Sequence, residues 1–135
     1  AAVFPAGTND VSITVNRNLR YASQTGQEAL GLFAQGNVNV GLYSDSILRV
    51  DGGLVAQNGR VGRYYYSSSC GPESFRQSLT LYGMIVTNRR YGFAYTNGTG
   101  NATRTITYDS NFRYSPPPAT PLTTGGHEII SWEEL

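Results

Sequence analysis

The chain has 135 residues, with ten basic and nine acidic side chains and a formal net charge of +1. This length suits one domain with a modest core, and the balanced charge argues against a strongly basic nucleic-acid module. All ten basic residues are arginines, which excludes a lysine Schiff base and a P-loop lysine. Cys70 is the single cysteine, so an intramolecular disulfide and a zinc site of several thiolates are excluded as well.

Apolar and polar residues alternate along most of the chain, which is the period of β-strands. The alternation is clearest in residues 11–15, 38–42 and 48–54. Only residues 24–34 contain reasonable helix formers, and two glycines interrupt them, so at most one short helix is expected. Turn residues recur at short intervals, at Gly36-Asn37, Asp51-Gly52-Gly53, Asn58-Gly59, Asn88 and Asn97-Gly98. The pattern predicts an all-β fold.

Three similar phrases recur along the chain, at offsets of 22 and 30 residues: GLFAQG at 31–36, GLVAQN at 53–58 and GMIVTN at 83–88. A second set of phrases follows them at 40–43, 61–64 and 91–94. The phrases at 53–58 and 83–88 are also preceded by similar segments, SILRVDG at 46–52 and QSLTLYG at 77–83. Strand, glycine, strand and asparagine turn in this order predict a short parallel β-helix (β-solenoid) of about three coils. In it, Leu32, Leu54 and Met84 occupy equivalent positions. An antiparallel β-sandwich with glycine-rich turns is the alternative.

The last part of the chain differs in composition from the repeats. The extra residues of the longer spacing fall in RYYYSSSCGPE at 63–73, which predicts a loop between coils. Pro116 to Pro118 predict an extended segment that leaves the repeat region. We therefore expect a β-solenoid domain over 1–114 and, belonging to the same domain, a Pro-rich linker and C-terminal capping segment over 115–135. Ile129, Ile130 and Trp132 are expected to dock on the terminal coil and cover its strand edges.

The sequence predicts no catalytic residue, no metal site and no cofactor. His127 is the single histidine, and no nucleophile elbow or metal-ligand spacing is present. Asp45 and Asp51, together with Arg49 and Arg63, leave a β-helix polysaccharide-active enzyme as a less favoured alternative. Asp51 before two glycines is also ordinary turn chemistry.

Two phrases interleave arginine with aromatic residues: RVGRYYY at 60–66 and RRYGFAY at 89–95. Surfaces of this kind stack on bases or sugars and bind phosphates. They predict a binding face for single-stranded DNA or glycan, formed by Arg60, Arg63, Tyr64, Tyr65, Arg89, Arg90, Tyr91 and Tyr95. Half of the side chains of a strand face inward, so core packing by these rings is the alternative.

The runs DGGLVAQNGRVGRYYYSSSCG, SLTLYGMIVTNRRYGFAYTNGTG and YSPPPATPLTTGGHEIISWEEL resemble the C-terminal extracellular regions of bacterial PilX-like, type IV pilus-associated proteins. The resemblance implies a minor pilin-like protein with a non-catalytic structural, display or adhesion role at the bacterial cell surface. It implies other pilus or surface-assembly subunits as partners. It also implies an extracellular location with anchoring through an N-terminal hydrophobic helix missing from this sequence, so that the segment itself makes no membrane contact.

Overall fold

The computed structural model describes residues 11–118 and residue 120. Its seven strands are β1 (Ile13–Val15), β2 (Gly31–Ala34), β3 (Val38–Val40), β4 (Ile47–Ala56), β5 (Val61–Arg63), β6 (Phe75–Thr87) and β7 (Gly100–Tyr108). Short 3-10 helices lie at Ser68–Cys70, Pro72–Ser74 and Ser110–Arg113. The described residues contain no α-helix, and the segment with helix formers is irregular until it becomes β2.

The strands form two sheets, in which every pairing between these seven strands is parallel. One sheet has the order β1-β3-β5 and the other the order β2-β4-β6-β7. From β1 to β6 the chain alternates between the two sheets, so β1 to β4 each pair with the strand two places further along the chain, whereas β6 pairs with the next strand, β7. The prediction of an all-β chain is confirmed, and the parallel pairing rules out the antiparallel sandwich.

The hydrophobic core lies between the two sheets. Leu48 and Val50 of β4 stack on Leu79 and Leu81 of β6, and none of the four is more than 1% exposed. The three-stranded sheet contributes further buried side chains, which are Val15, Val38, Val40 and Val61, and Phe93 completes the cluster. Alternate residues of each strand point inward, which explains the two-residue period of the sequence.

The register of the strands corrects the predicted alignment by one residue. Leu32 pairs with Leu54 as predicted, but Leu54 pairs with Ile85, and Met84 pairs with Gly53. The offset from β4 to β6 is therefore 31 residues, the offset that also relates the phrases at 46–52 and 77–83. In the other sheet, Val61 pairs with Val38 and not with Val40.

The predicted turn at Asp51-Gly52-Gly53 is wrong, because all three residues lie inside β4. Gly52 pairs with Gly83 of β6, and the two have φ of +145° and +154°. A Cβ on Gly83 would lie 1.9 Å from the Gly52 carbonyl oxygen. Two aligned glycines therefore let both strands take the same unusual backbone and stay paired. This glycine pair also sets the 31-residue offset.

The connections outside the sheets hold both predicted and unpredicted features. The long connection between β5 and β6 lies where the extra residues were expected. The prediction that Pro116 to Pro118 leave the repeat region is wrong: Pro117 is fully buried and packs over Gly31 and Gly53 of the four-stranded sheet. Glycines without side chains leave room there for the proline ring. The predicted cap by Ile129, Ile130 and Trp132 lies outside the described residues.

Candidate functional site: an arginine and tyrosine face

The segment between β6 and β7 brings the two arginine and tyrosine phrases together. It returns to the edge of the three-stranded sheet, where Gly92 forms a parallel bridge with Gly62 of β5. A Cβ on Gly62 would lie 2.5 Å from the Gly92 carbonyl oxygen, so the two backbones are in close contact. This contact places residues 89–95 beside residues 60–65. We call the surface formed by Arg60, Tyr64, Tyr65, Arg89, Arg90, Tyr91 and Tyr95 the Arg/Tyr face.

Hydrogen bonds and ring contacts hold part of this face in place. The Arg60 guanidinium donates to the Tyr95 hydroxyl over 3.2 Å and to the Arg63 carbonyl over 3.0 Å. Tyr95 donates its own hydroxyl hydrogen to the Arg63 carbonyl over 2.7 Å. The Tyr65 and Tyr95 rings meet edge to face at 5.1 Å, and Arg60 lies 5.8 Å from the centre of the Tyr64 ring. These contacts connect Arg60, Tyr64, Tyr65 and Tyr95 to one another and to the backbone of β5.

A cavity of about 340 Å³ opens on the Arg/Tyr face and is lined by Arg60, Arg90, Tyr91, Gly92, Ala94 and Tyr95. We call it the Arg90 pocket. The ion pairs among the described residues are Arg17 with Asp45 and Arg49 with Asp51, so no described carboxylate neutralises the two arginines of the pocket. Arg89, Arg90 and Tyr91 are exposed. The pocket therefore offers positive charge, hydroxyl groups and an accessible ring edge to a ligand.

Arg63 was predicted to belong to this face, and the structure corrects that prediction. Arg63 is 0% exposed, because its inward position on β5 aligns with Val40 in the core of the three-stranded sheet. Its guanidinium donates to the carbonyls of Gly41, Leu42 and Glu73 and to the Ser44 hydroxyl. It also lies 5.0 Å from the centre of the Tyr66 ring. Arg63 therefore holds the connection between β3 and β4 and the connection between β5 and β6 against the core.

The buried position of Arg63 has an electrostatic cost. Burial, with a smaller contribution from the neighbouring Arg76 guanidinium, lowers the pKa of Arg63 below its ordinary value. Arg76 donates to the same Leu42 carbonyl over 2.7 Å. Carbonyl oxygens thus take the place of a carboxylate in compensating the charge, and they do so only while the Gly41–Ser44 connection keeps its shape.

A second polar cluster lies on the outer face of the four-stranded sheet. Asp51 is 1% exposed and accepts hydrogen bonds from the Arg49 guanidinium at 2.8 Å and from the Tyr21 amide at 3.1 Å. Asp109 is also 1% exposed and accepts from the Tyr82 hydroxyl at 3.2 Å and from the Asn111 amide at 3.0 Å. Each carboxylate thus ties a connection to the sheet.

The cluster changes the acidity of its tyrosines. Burial, together with the Asp109 and Asp51 carboxylates, raises the pKa of Tyr82 above its ordinary value of 10.0. Burial likewise raises the pKa of Tyr21, with smaller contributions from the same carboxylates.

The four residues of the alternative sugar-active enzyme do not form one group in the structure. Asp45 pairs with Arg17, Asp51 pairs with Arg49, and Arg63 is buried.

Several residues of these two sites escaped the sequence analysis. Gly92 and Ala94 line the Arg90 pocket through a close approach of two backbones, which no motif marks. The pairing of Arg49 with Asp51 could have been found, since residues i and i+2 of a strand share one face. Asp109 and Tyr82 are 27 residues apart in the sequence, and no local pattern connects them.

Within residues 11–118 and 120, no three His, Cys, Asp or Glu side chains are grouped so as to hold a metal ion. In the same part of the chain, no helix has the length and apolar character needed to span a membrane. Comparisons with protein-family models, with curated proteins and with solved structures found no match to this chain.

Proposed function

We propose that this chain is a non-catalytic structural and display domain of a bacterial cell-surface protein, associated with type IV pili, and that it is built as a short parallel β-solenoid of about three coils. The observation that carries the proposal is the strand order. Six successive strands alternate between two parallel sheets, which is the path of a chain wound in coils. The stacking of Leu32, Leu54 and Ile85 on one another supports the same architecture.

The buried charged side chains support a structural role, because their hydrogen bonds hold connections against the sheets. Arg63, Asp51 and Asp109 are each at most 1% exposed, and each holds a connection onto a sheet. A rigid stack with fastened connections is suited to presenting loops at a distance from a cell surface. The resemblance to PilX-like proteins gives the proposed setting, with other pilus or surface-assembly subunits as partners.

The proposed location is tested by shearing filaments and surface structures from intact bacteria that make the protein. We expect an antibody against this chain to detect it in the sheared fraction, together with pilus subunits. A cytoplasmic marker probed in the same fractions controls for lysis. Detection of the chain only after lysis, with the cytoplasmic marker, would overturn the proposal.

A second candidate function is supported by the Arg90 pocket: binding of single-stranded DNA or glycan at the Arg/Tyr face. Arg60 and Arg90 supply charge without a described carboxylate partner, and Tyr91 is 51% exposed beside them. A phosphate-dependent site weakens steeply as salt rises, with a slope set by the number of phosphate contacts. A neutral glycan binds with little dependence on salt.

This candidate is tested by measuring the affinity for single-stranded oligonucleotide and for glycan at low and high salt. Arg90→Gln should weaken oligonucleotide binding and reduce the salt slope by about one contact. Arg20→Gln is the matched control, since Arg20 is exposed and belongs to neither the Arg/Tyr face nor the pocket. Equal affinity of Arg90→Gln and the parent chain would contradict the candidate site.

A further inference from the structure

The segment between β6 and β7 has a cavity on each of its two sides. It is joined to both neighbouring strands, since Gly92 bridges Gly62 of β5 and Ala94 forms an antiparallel bridge with Gly100 at the start of β7. The Arg90 pocket lies on the β5 side. Further along β7 a second cavity of about 370 Å³ opens beside the segment, and we call it the Arg104 pocket. It is lined by Tyr91, Gly92, Phe93, Ala94, Arg104 and Ile106.

The Arg104 pocket adjoins the Arg90 pocket, because Tyr91, Gly92 and Ala94 line both cavities. Of these three residues only Tyr91 has a large side chain, and it is exposed. Its ring lies 6.5 Å from the ring of the buried Phe93, measured between the centres. An exposed aromatic ring therefore stands between two cavities, where a planar group of a ligand can stack on it.

Arg104 supplies positive charge to the second cavity, as Arg60 and Arg90 do to the first. Its Nη1 donates to the Asn101 carbonyl over 2.6 Å and to the Ala102 carbonyl over 2.9 Å, and these bonds hold the guanidinium against β7. Its Nε and Nη2 donate to no described residue, and Arg104 belongs to neither of the ion pairs in the described part of the chain. The guanidinium therefore keeps its charge and the donors of two nitrogens for a ligand.

The chemistry of both cavities suits a ligand that accepts hydrogen bonds and does not donate them. Neither set of lining residues includes an aspartate, glutamate, asparagine or glutamine. The polar side chains of the two linings are arginines and tyrosines, and the Tyr95 hydroxyl already donates to the Arg63 carbonyl. A sugar hydroxyl donates as well as accepts, whereas a phosphodiester oxygen only accepts and pairs well with arginine. The linings therefore favour phosphate groups over a neutral glycan.

We propose that the Arg90 and Arg104 pockets are two phosphate subsites of one site for single-stranded DNA, with a base stacked on Tyr91 between them. The inference rests on the second candidate function and deepens it, because it adds Arg104 to the site and selects DNA over glycan. Successive phosphates of a strand flank each nucleoside, so a strand laid across Tyr91 brings one phosphate to each cavity. Arg104 donates to the second of these phosphates through Nε and Nη2.

The second subsite is tested with a fluorescein-labelled oligothymidylate of about eight nucleotides, whose binding to the full chain is followed by fluorescence anisotropy at several salt concentrations. Each phosphate contact to a single strand contributes about 0.7 to the slope of log affinity against log salt. Arg104→Gln should weaken binding several-fold and lower this slope by about 0.7, whereas Arg104→Lys should keep the slope because the charge remains. Arg113→Gln removes an exposed arginine that lines neither cavity, so it is the matched control and should leave the slope unchanged.

The stacked base is tested at Tyr91 itself. Tyr91→Ala should weaken oligonucleotide binding about tenfold, and Tyr91→Phe, which keeps the ring, should bind like the parent chain. A bromodeoxyuridine in the middle of the oligonucleotide should cross-link to Tyr91 on irradiation. The cross-link examines the parent chain and does not depend on whether any variant folds.

The outcomes separate this inference from the candidate function on which it rests. Far-UV circular dichroism of each variant establishes that the sheets remain folded. An unchanged slope and affinity in Arg104→Gln, while Arg90→Gln weakens binding, would overturn the second subsite and leave the candidate function standing. Equal binding by Tyr91→Ala and the parent, without a cross-link to Tyr91, would overturn the stacked base. A parent chain that binds a neutral glycan independently of salt and binds no oligonucleotide would overturn both this inference and DNA binding at the Arg/Tyr face.

Discussion

Arg63 is a buried cation whose hydrogen-bond partners carry no formal charge. Its guanidinium joins the Gly41 and Leu42 carbonyls, in the connection between β3 and β4, to the Glu73 carbonyl, in the connection between β5 and β6. Arginine suits this position because its planar fork donates in several directions at once. A lysine ammonium is a compact donor on a flexible stem and does not reproduce that spread.

We predict that Arg63→Met lowers the free energy of unfolding by about 3 kcal/mol, because the Gly41, Leu42 and Glu73 carbonyls each lose a charged donor, although Leu42 keeps the one from Arg76. Urea unfolding followed by circular dichroism measures the effect. Arg113→Met removes an exposed arginine and is the control, expected to change stability little. An Arg63→Met midpoint equal to that of the parent would contradict the bracing role.

Tyr82 gives the protein a predicted sensitivity to alkaline pH. Its folded pKa is raised above 10.0, so above that pH the unfolded chain loses the Tyr82 proton first. The contribution of the protonated Tyr82 hydroxyl to the free energy of unfolding is therefore fully present below pH about 10 and is lost as pH rises through the folded pKa. Tyr82→Phe should therefore lose less stability than the parent between pH about 8 and pH about 11.

Urea midpoints at several pH values across that interval measure the difference. Tyr114→Phe, at an 86% exposed position, is the control and should follow the parent. Tyr21 also has a raised pKa and titrates in the same direction, so part of the alkaline loss remains in Tyr82→Phe. Identical pH profiles for Tyr82→Phe and the parent would show that the Asp109 contact does not influence the titration.

At the scale of elements, the segment after β6 packs closely against strand β5, and this close packing depends on Gly62 more than on Gly92. A Cβ on Gly62 would lie 2.5 Å from the Gly92 carbonyl oxygen, whereas a Cβ on Gly92 would meet nothing within 4 Å. The two glycines share one rung of the sheet. They form a matched pair in which the added methyl group is the same and only its surroundings differ.

We predict that Gly62→Ala destabilises the protein by about 1–3 kcal/mol, the usual cost of overpacking, while Gly92→Ala is close to neutral. Thermal and urea unfolding of the two variants test this directly. The Gly62→Ala variant should also disturb the Arg90 pocket, because Gly92 lines it. Equal stability of the two variants would mean that the strands separate to admit the methyl group without cost.

Some properties of the elements follow from local sequence and some do not. The alternation at 48–54 correctly predicts a strand, in which Leu48 and Val50 face the core, and the similar phrase QSLTLYG places Leu79 and Leu81 beside them. The same sequence suggests a turn at Asp51-Gly52-Gly53, because these residues are found in turns far more often than inside strands. Gly52 and Gly83, which pair on neighbouring strands, share a positive-φ backbone that glycine adopts readily, and β4 therefore continues through this segment.

At the scale of the whole molecule, stacking joins segments that are 22 to 31 residues apart. Each rung of the stack buries residues from successive passes of the chain, so no single pass holds a core of its own. Two connections lie across the outer face of the four-stranded sheet: the segment between β1 and β2, held by Asp51 through the Tyr21 amide, and the segment after β7, held by Asp109 through the Asn111 amide. They meet where Gly26 contacts Asn111. Among the described residues, these contacts therefore cover one face of the sheet and leave β7 exposed from Ala102 to Tyr108.

The sequence by itself determined the all-β character, the parallel repeats and the inward residues of the strands. These depend on a two-residue period and on recurring phrases, which are local properties. It also identified the arginine and tyrosine phrases whose residues meet at the Arg/Tyr face. The tertiary structure alone decided the one-residue register, the burial of Arg63 and the return of Pro117 over Gly31 and Gly53. Each of these depends on which distant backbone lies alongside, and a phrase read along one strand does not contain that information.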